Sequence, residues 1–258
     1  MEGRTRMVNK KTLARSGKRQ VETVLFSVRK RLTERYLDPT RDSVLLSWAT
    51  YSPWLLDEEF AACHRTIKAN TLVDKYRCFE LWHLLGQTRE LPGDILEVGT
   101  WRGGTGCLLG HRAALLDLPA RVYLCDTFEG VVKTSALDSM YNGGEHSDTS
   151  IAIVEECAAR FGLTNLEILK GIFPEETGYA IADRSFRFCH IDVDAYQSGK
   201  DVLSWVWPRL AVGGIVVFDD FGFSSTRGIA ALVHEEEAKP DRVCVQNLNG
   251  HAVLVKVA

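Results

Sequence analysis

From about residue 94 onward the chain alternates short β-rich apolar runs with stretches of helical periodicity, and that alternation admits few folds. The strand runs read as Asp94 to Gly99, Arg121 to Asp126, Leu166 to Gly171, Phe186 to Asp192 and Gly214 to Asp219, with helical patterns at 104–116, 150–162, 198–210 and 226–238. Strands linked in this way lie parallel, and the crossover helices cover both faces of the sheet. The end of the chain breaks the pattern, because Val243 to Leu248 and Ala252 to Val257 flank Asn249-Gly250, the strongest short hairpin signal. The expected fold is therefore α/β, a mainly parallel sheet with a C-terminal antiparallel hairpin and helices on both faces. A dinucleotide-binding dehydrogenase would continue with parallel βα units instead. Residues 60–90 also read as helical, so the expected division is a basic N-terminal arm and helical extension over 1–66 and an α/β domain over 67–258.

Charge is unevenly spread. Residues 1–35 hold eleven Lys and Arg against three acids, while the rest holds twenty against thirty-one. A basic arm can attract nucleic acid or an anionic surface, but few aromatics accompany this one and an acidic body follows it, so neither nucleic acid nor membrane is expected as a partner. Val21, Val24, Leu25, Val28 and Leu32 recur at helical spacing, a stripe that suits a subunit contact and favours a homo-oligomer. Seven scattered cysteines, none spaced as C-x-x-C, signal neither a disulfide framework nor a zinc cluster. With no apolar run long enough to span a bilayer and no secretory leader, a cytoplasmic setting is expected.

Two features carry chemistry. The segment GDILEVGTWRGGTG joins the first strand to the next helix, and its glycines let backbone approach a ligand at a helix N-terminus. The dinucleotide fingerprint does not fit, because Leu109 stands where the third glycine belongs. Glu97-Val98-Gly99 offers an acid beside open backbone, suited to a cationic or amine-bearing ligand such as S-adenosylmethionine. Asp126, ending the second strand, can accept hydrogen bonds from a ribose diol or serve as a turn acid. The second feature is two acid pairs at strand ends, Asp192 with Asp194 in HIDVDAY and Asp219 with Asp220 in VVFDDFG. Four neighbouring carboxylates repel one another unless a cation holds them charged or one works as a base; the alternative is that they cap a helix and make a turn. The long polar stretch from Phe128 to Thr149 suits a lid or binding loop, and its Tyr141 and His146 could meet an acceptor. His190 reads as hydrogen-bonded structure.

PGDILEVGTWRGG, VYLCDTFEG, LKGIFPEET, HIDVDAYQS and GGIVVFDDFG, in that order, closely resemble the macrocin O-methyltransferase (TylF, MycF, NovP) family, which methylates sugar hydroxyls of antibiotics. The resemblance covers roughly residues 70–257. It implies a class I methyltransferase (Rossmann-like) fold, S-adenosylmethionine as donor, and Mg2+ held near the acceptor hydroxyl of a small-molecule glycoside. Asp192, Asp219 and Asp220 stand at the family's metal ligands and Asp194 at its assigned base. Glu97, Gly99, Thr100, Trp101, Gly103, Gly104, Asp126, Thr127, Gly171, Phe173 and Asp192 are the expected donor-site positions. Asp219-Asp220-Phe221 departs from the family's D-D-Y, Thr127 to Val132 from its S-F-E-G-L-P, and Val193 replaces a frequent glycine. A phenol or catechol acceptor is one alternative; a non-catalytic nucleotide-binding interaction protein is another.

Overall fold

The computed structural model describes residues 49–258 together with 24, 27, 28, 37, 38 and 40–45. The chain forms two compact units, Met1–Tyr51 and Ser52–Ala258. Of the stripe expected near 21–32, Val24 and Val28 are described and exposed, and its other positions lie outside the described residues.

Seven strands build the second unit: β1 (Asp94–Val98), β2 (Val122–Asp126), β3 (Leu166–Lys170), β4 (Phe186–Ile191), β5 (Leu210–Phe218), β6 (Arg242–Gln246) and β7 (Ala252–Lys256). They stand in the order β3-β2-β1-β4-β5-β7-β6. The first five pair in parallel, and β7 inserts antiparallel between β5 and β6. Six α-helices accompany them: α1 (Glu58–Ile67), α2 (Lys75–Gln87), α3 (Gly104–Leu115), α4 (Ile151–Ala159), α5 (Tyr196–Val206) and α6 (Arg227–Glu237). Strand alternation divides the core in two. Ile95 and Phe188 face α1 to α4, whereas Leu96, Cys189 and Ile191 face α5 and α6. The α/β sheet with helices on both faces and a closing hairpin is thus as expected.

Local chemistry sets the element ends. Asp57, Asp74 and Ser150 accept amide hydrogen bonds at the starts of α1, α2 and α4, which satisfies donors the helices leave open. The helix expected over 198–210 stops at Val206 and passes through a 3-10 turn, Trp207–Arg209, into β5. Pro208 has no amide with which to continue it.

The stretch expected as an N-terminal extension holds α1, whose Phe60, Cys63 and Ile67 pack in the same core as α2 and α3. Trp82 of α2 is 1% exposed and its indole donates to Asp57 Oδ2 at 3.0 Å. Trp82→Ala leaves a cavity at this junction and takes the indole donor from Asp57 Oδ2. It should cost about 3–5 kcal/mol, read as the free energy of urea unfolding; an unchanged midpoint would show that this layer does not carry the fold.

Strand order reverses between β1 and β4, the switch point where open α/β sheets bind ligands beyond the strand ends. There Gly99 (φ +87) lets β1 leave the sheet directly against the Asp192 backbone, since a Cβ at Gly99 would fall 1.6 Å from the Asp192 carbonyl oxygen.

Candidate active site

Beyond the switch point lies a cavity of about 300 Å³, at the small end of the range for ligand sites. The β1–α3 loop lines one part of it with Gly99, Thr100 and Trp101, beside Asp126, Thr127, Gly171 and Phe173. Asp126 holds this part in shape. Its Oδ2 accepts the Thr100 and Trp101 amides at 2.8 and 2.7 Å, and its Oδ1 accepts the Phe128 amide at 2.6 Å. Each carboxylate oxygen accepts about two hydrogen bonds, so Oδ1 retains capacity for one more.

Three of the expected donor-site residues stand outside the lining. Glu97 is fully buried within the sheet, with Oε1 3.0 Å from His190 Nδ1, because alternation along β1 turns it toward α3 rather than toward the strand end. Gly103 and Gly104 serve packing. Gly104 donates its amide to the Asn70 carbonyl at 2.9 Å, and a Cβ there would lie 2.5 Å from that oxygen. Gly103 caps α3 in the left-handed region, φ +79, against Val154.

The carboxylates line another part of the cavity. Ligand oxygens of Asp192, Asp219 and Asp220 all lie within 4.8 Å of one another. Asp194 is in the left-handed region (φ +60); its amide donates to Asp220 Oδ2 at 2.8 Å, and the Tyr141 hydroxyl donates to its Oδ1 at 2.5 Å. The four acids differ in charge state. Burial, then the neighbouring carboxylates, push Asp192 and Asp220 well above the ordinary range. Burial raises Asp194 as well, against the Tyr141 hydrogen bond. Burial acts the same way on Asp219, but His190, His251 and Arg77 outweigh it and hold that carboxyl well below the usual range. Acids whose ionisation is disfavoured by burial and by like charge are ones that a hard cation would favour ionised.

The stretch 128–149 carries Tyr141 and His146 into the cavity lining and is fastened along its length. Lys133 pairs with Glu175 at 2.5 Å and Asp201 at 2.8 Å, while Ser198 Oγ donates to the Val132 carbonyl at 3.0 Å. Buried Asp138 accepts the Tyr196 amide at 2.9 Å at the start of α5. Trp101 Nε1 donates to Asp148 at 2.9 Å and Thr149 Oγ1 to the Trp101 carbonyl. Sequence reasoning missed Thr71, Leu72, Arg77 and Phe223 in the lining. Arg77, which donates to Asp219 Oδ2, carried no signal beyond being a charge on an otherwise apolar helix face.

The model of the macrocin O-methyltransferase (TylF) family matches residues 61–241. The chain belongs to this family. The methyltransferase is 30% identical to the mycinamicin III 3''-O-methyltransferase of Micromonospora griseorubida, over 65% of this chain and 70% of that one. It is 32% identical to the 8-demethyl-8-(2,3-dimethoxy-alpha-L-rhamnosyl)-tetracenomycin-C 4'-O-methyltransferase of Streptomyces olivaceus, over 53% and 56%. With the demethyldecarbamoylnovobiocin O-methyltransferase of Streptomyces niveus it shares 28% over 62% and 63%. The match therefore spans less than two thirds of two of these relatives. Among solved structures, the O-methyltransferase NovP shares the fold at a TM-score of 0.65 and 22% identity, over 73% of this chain and 83% of that one. CalS11, a calicheamicin methyltransferase, does so at 0.61 and 18%, over 83% and 98%. Among the described residues, no helix is long and apolar enough to cross a membrane.

Proposed function

We propose that this O-methyltransferase moves a methyl group from S-adenosylmethionine to a sugar hydroxyl of a natural-product glycoside, with Mg2+ held by Asp192, Asp219 and Asp220 and Asp194 as proton acceptor. The observation that carries this reading is the meeting of three ligand-spaced carboxylates with the Asp194–Tyr141 pair in the cavity that the Gly99–Trp101 loop also lines. The relatives favour a glycosidic acceptor, one being named for a rhamnosyl-bearing substrate.

S-adenosylmethionine supplies an electrophilic sulfonium methyl. Mg2+ prefers oxygen ligands, commonly keeps open positions for substrate oxygens, and would acidify a hydroxyl whose own pKa lies far above neutrality. The protein's part is orientation and proton removal. The loop pinned by Asp126 fixes the donor end, and the fastened 128–149 stretch brings Tyr141 and His146 against the acceptor end. Holding the two reactants in line removes much of the entropic barrier. Asp194 then takes the hydroxyl proton, with Tyr141 fixing which of its oxygens faces the cavity.

Excess EDTA should abolish methyl transfer and Mg2+ restore it. Asp192→Asn and Asp219→Asn should each lose several kcal/mol of activation, about 10²–10³-fold in rate. The assay follows S-adenosylhomocysteine formation with a vicinal-diol glycoside, beside a catechol. If both substitutions and EDTA left transfer intact, the metal role would be wrong; if only the catechol were methylated, the acceptor class would be.

A further inference from the structure

Two fully buried histidines converge on one oxygen of Asp219. His251, just before β7, has Nε2 2.9 Å from Asp219 Oδ1; His190, in β4, has Nε2 3.5 Å from the same atom. Each imidazole turns its other nitrogen to a carboxylate, His251 Nδ1 to Glu80 Oε2 at 2.7 Å and His190 Nδ1 to Glu97 Oε1 at 3.0 Å. His251 cannot turn without losing a hydrogen bond at each nitrogen, and His190 cannot turn without losing Glu97. Glu80 is itself held by the Asn247 side chain, and Arg77 occupies Asp219 Oδ2. A chain of polar groups thus runs from buried Glu97 in β1, through Asp219, to half-buried Glu80 in α2.

Such a chain need not add net stability, since buried ionic groups often contribute no more than apolar residues of the same volume. What it does locally is restrain one side chain. Asp192, Asp219 and Asp220 repel one another when ionised, and a free Asp219 would relieve that by turning away. Carboxylate–histidine pairs that fix a ring and aim its second nitrogen are a recurrent means of orienting the groups around a metal.

We propose that His190 and His251 are positioning residues for Asp219, oriented by Glu97 and Glu80, and that this clamp keeps the Asp192–Asp219–Asp220 triad assembled before a divalent cation arrives. The inference rests on the metal reading given above. It also gives Glu97, which the sequence assigned to the donor, a different task.

The test reads metal binding directly, by titrating the metal-free protein with Mn2+ and following the free aquo ion by electron paramagnetic resonance. His251→Leu should weaken Mn2+ binding by about 10- to 100-fold. His251→Gln, whose amide nitrogen can reach where Nε2 lies, should recover most of that, and His251→Asn, which reaches only toward Glu80, should not. Melting curves in EDTA establish that each variant is folded; if His251→Leu is not, Glu80→Gln removes only the orienting carboxylate and should show a smaller loss of the same kind. Wild-type affinity in His251→Leu beside weakened binding in Asp192→Asn would overturn the clamp and leave the metal reading standing. Binding kept in Asp192→Asn but lost in His251→Leu would make the histidines ligands themselves, which also overturns it. Wild-type protein that binds no Mn2+ would remove the metal reading, and the clamp with it.

Discussion

Asp194→Asn is expected to lower kcat by about 10²–10⁴-fold, the range that a positioned general base contributes, while donor binding stays as in the wild type. The substitution is unusually clean here. Asp194 sits at φ +60, and asparagine tolerates that left-handed backbone as well as aspartate does. Its amide oxygen can still accept the Tyr141 hydroxyl, and its main-chain amide still meets Asp220 Oδ2. Only the ability to take a proton is lost. The pH profile gives a second readout. Burial raises the Asp194 pKa above the ordinary carboxylate range, so kcat/KM in the wild type should fall as pH drops through that raised value and the base becomes protonated. In Asp194→Asn that acid limb should vanish from the residual activity. Unchanged kcat would move the base role elsewhere, to His146 or to solvent.

What the sequence disclosed, and what it hid, follows from how far apart in the chain the contributing groups lie. The four acids were legible because each pair ends an apolar strand run, and strand ends in an α/β sheet meet at one edge. The sheet itself was legible from periodicity, including the Asn249-Gly250 turn that joins β6 to β7. That Glu97 lies outside the cavity lining was hidden for a specific reason: β1 is buried along its whole length, so no polar alternation shows which face its acid takes, and only the register that sets Glu97 opposite His190 reveals its partner. Arg77 and His251 were invisible as Asp219 partners because they come from 142 and 32 residues away. The length of the 128–149 stretch marked it as a loop that could line a site, and it does line the cavity. Its fastening was not legible, since Asp138, Val132 and Lys133 look like ordinary loop residues until α5 supplies Tyr196, Ser198 and Asp201.

Gly99→Ala should be the most damaging alanine substitution among the described glycines, costing about 4 kcal/mol or more in unfolding free energy. Two penalties coincide. The backbone is left-handed at φ +87, which costs an L-residue roughly 1–2 kcal/mol, and the added methyl would lie 1.6 Å from the Asp192 carbonyl oxygen. No side-chain rotation relieves the second, because both partners are backbone. The strands are locked at that level, with the Asp192 amide donating to the Val98 carbonyl at 2.9 Å, so either the Gly99 loop or Asp192 must move. Gly144→Ala separates the two penalties: its φ is +89 and nothing lies within 4 Å of the added carbon, so only the conformational cost of about 1–2 kcal/mol should appear. Equal melting temperatures for the two variants would show that the contact is soft and the first penalty alone acts. The expected gap has a catalytic consequence. A displacement of Asp192 that relieves the clash changes its spacing to Asp219 and Asp220, which end the neighbouring strand, so Gly99→Ala protein that remains folded at low temperature should bind Mn2+ more weakly than Gly144→Ala.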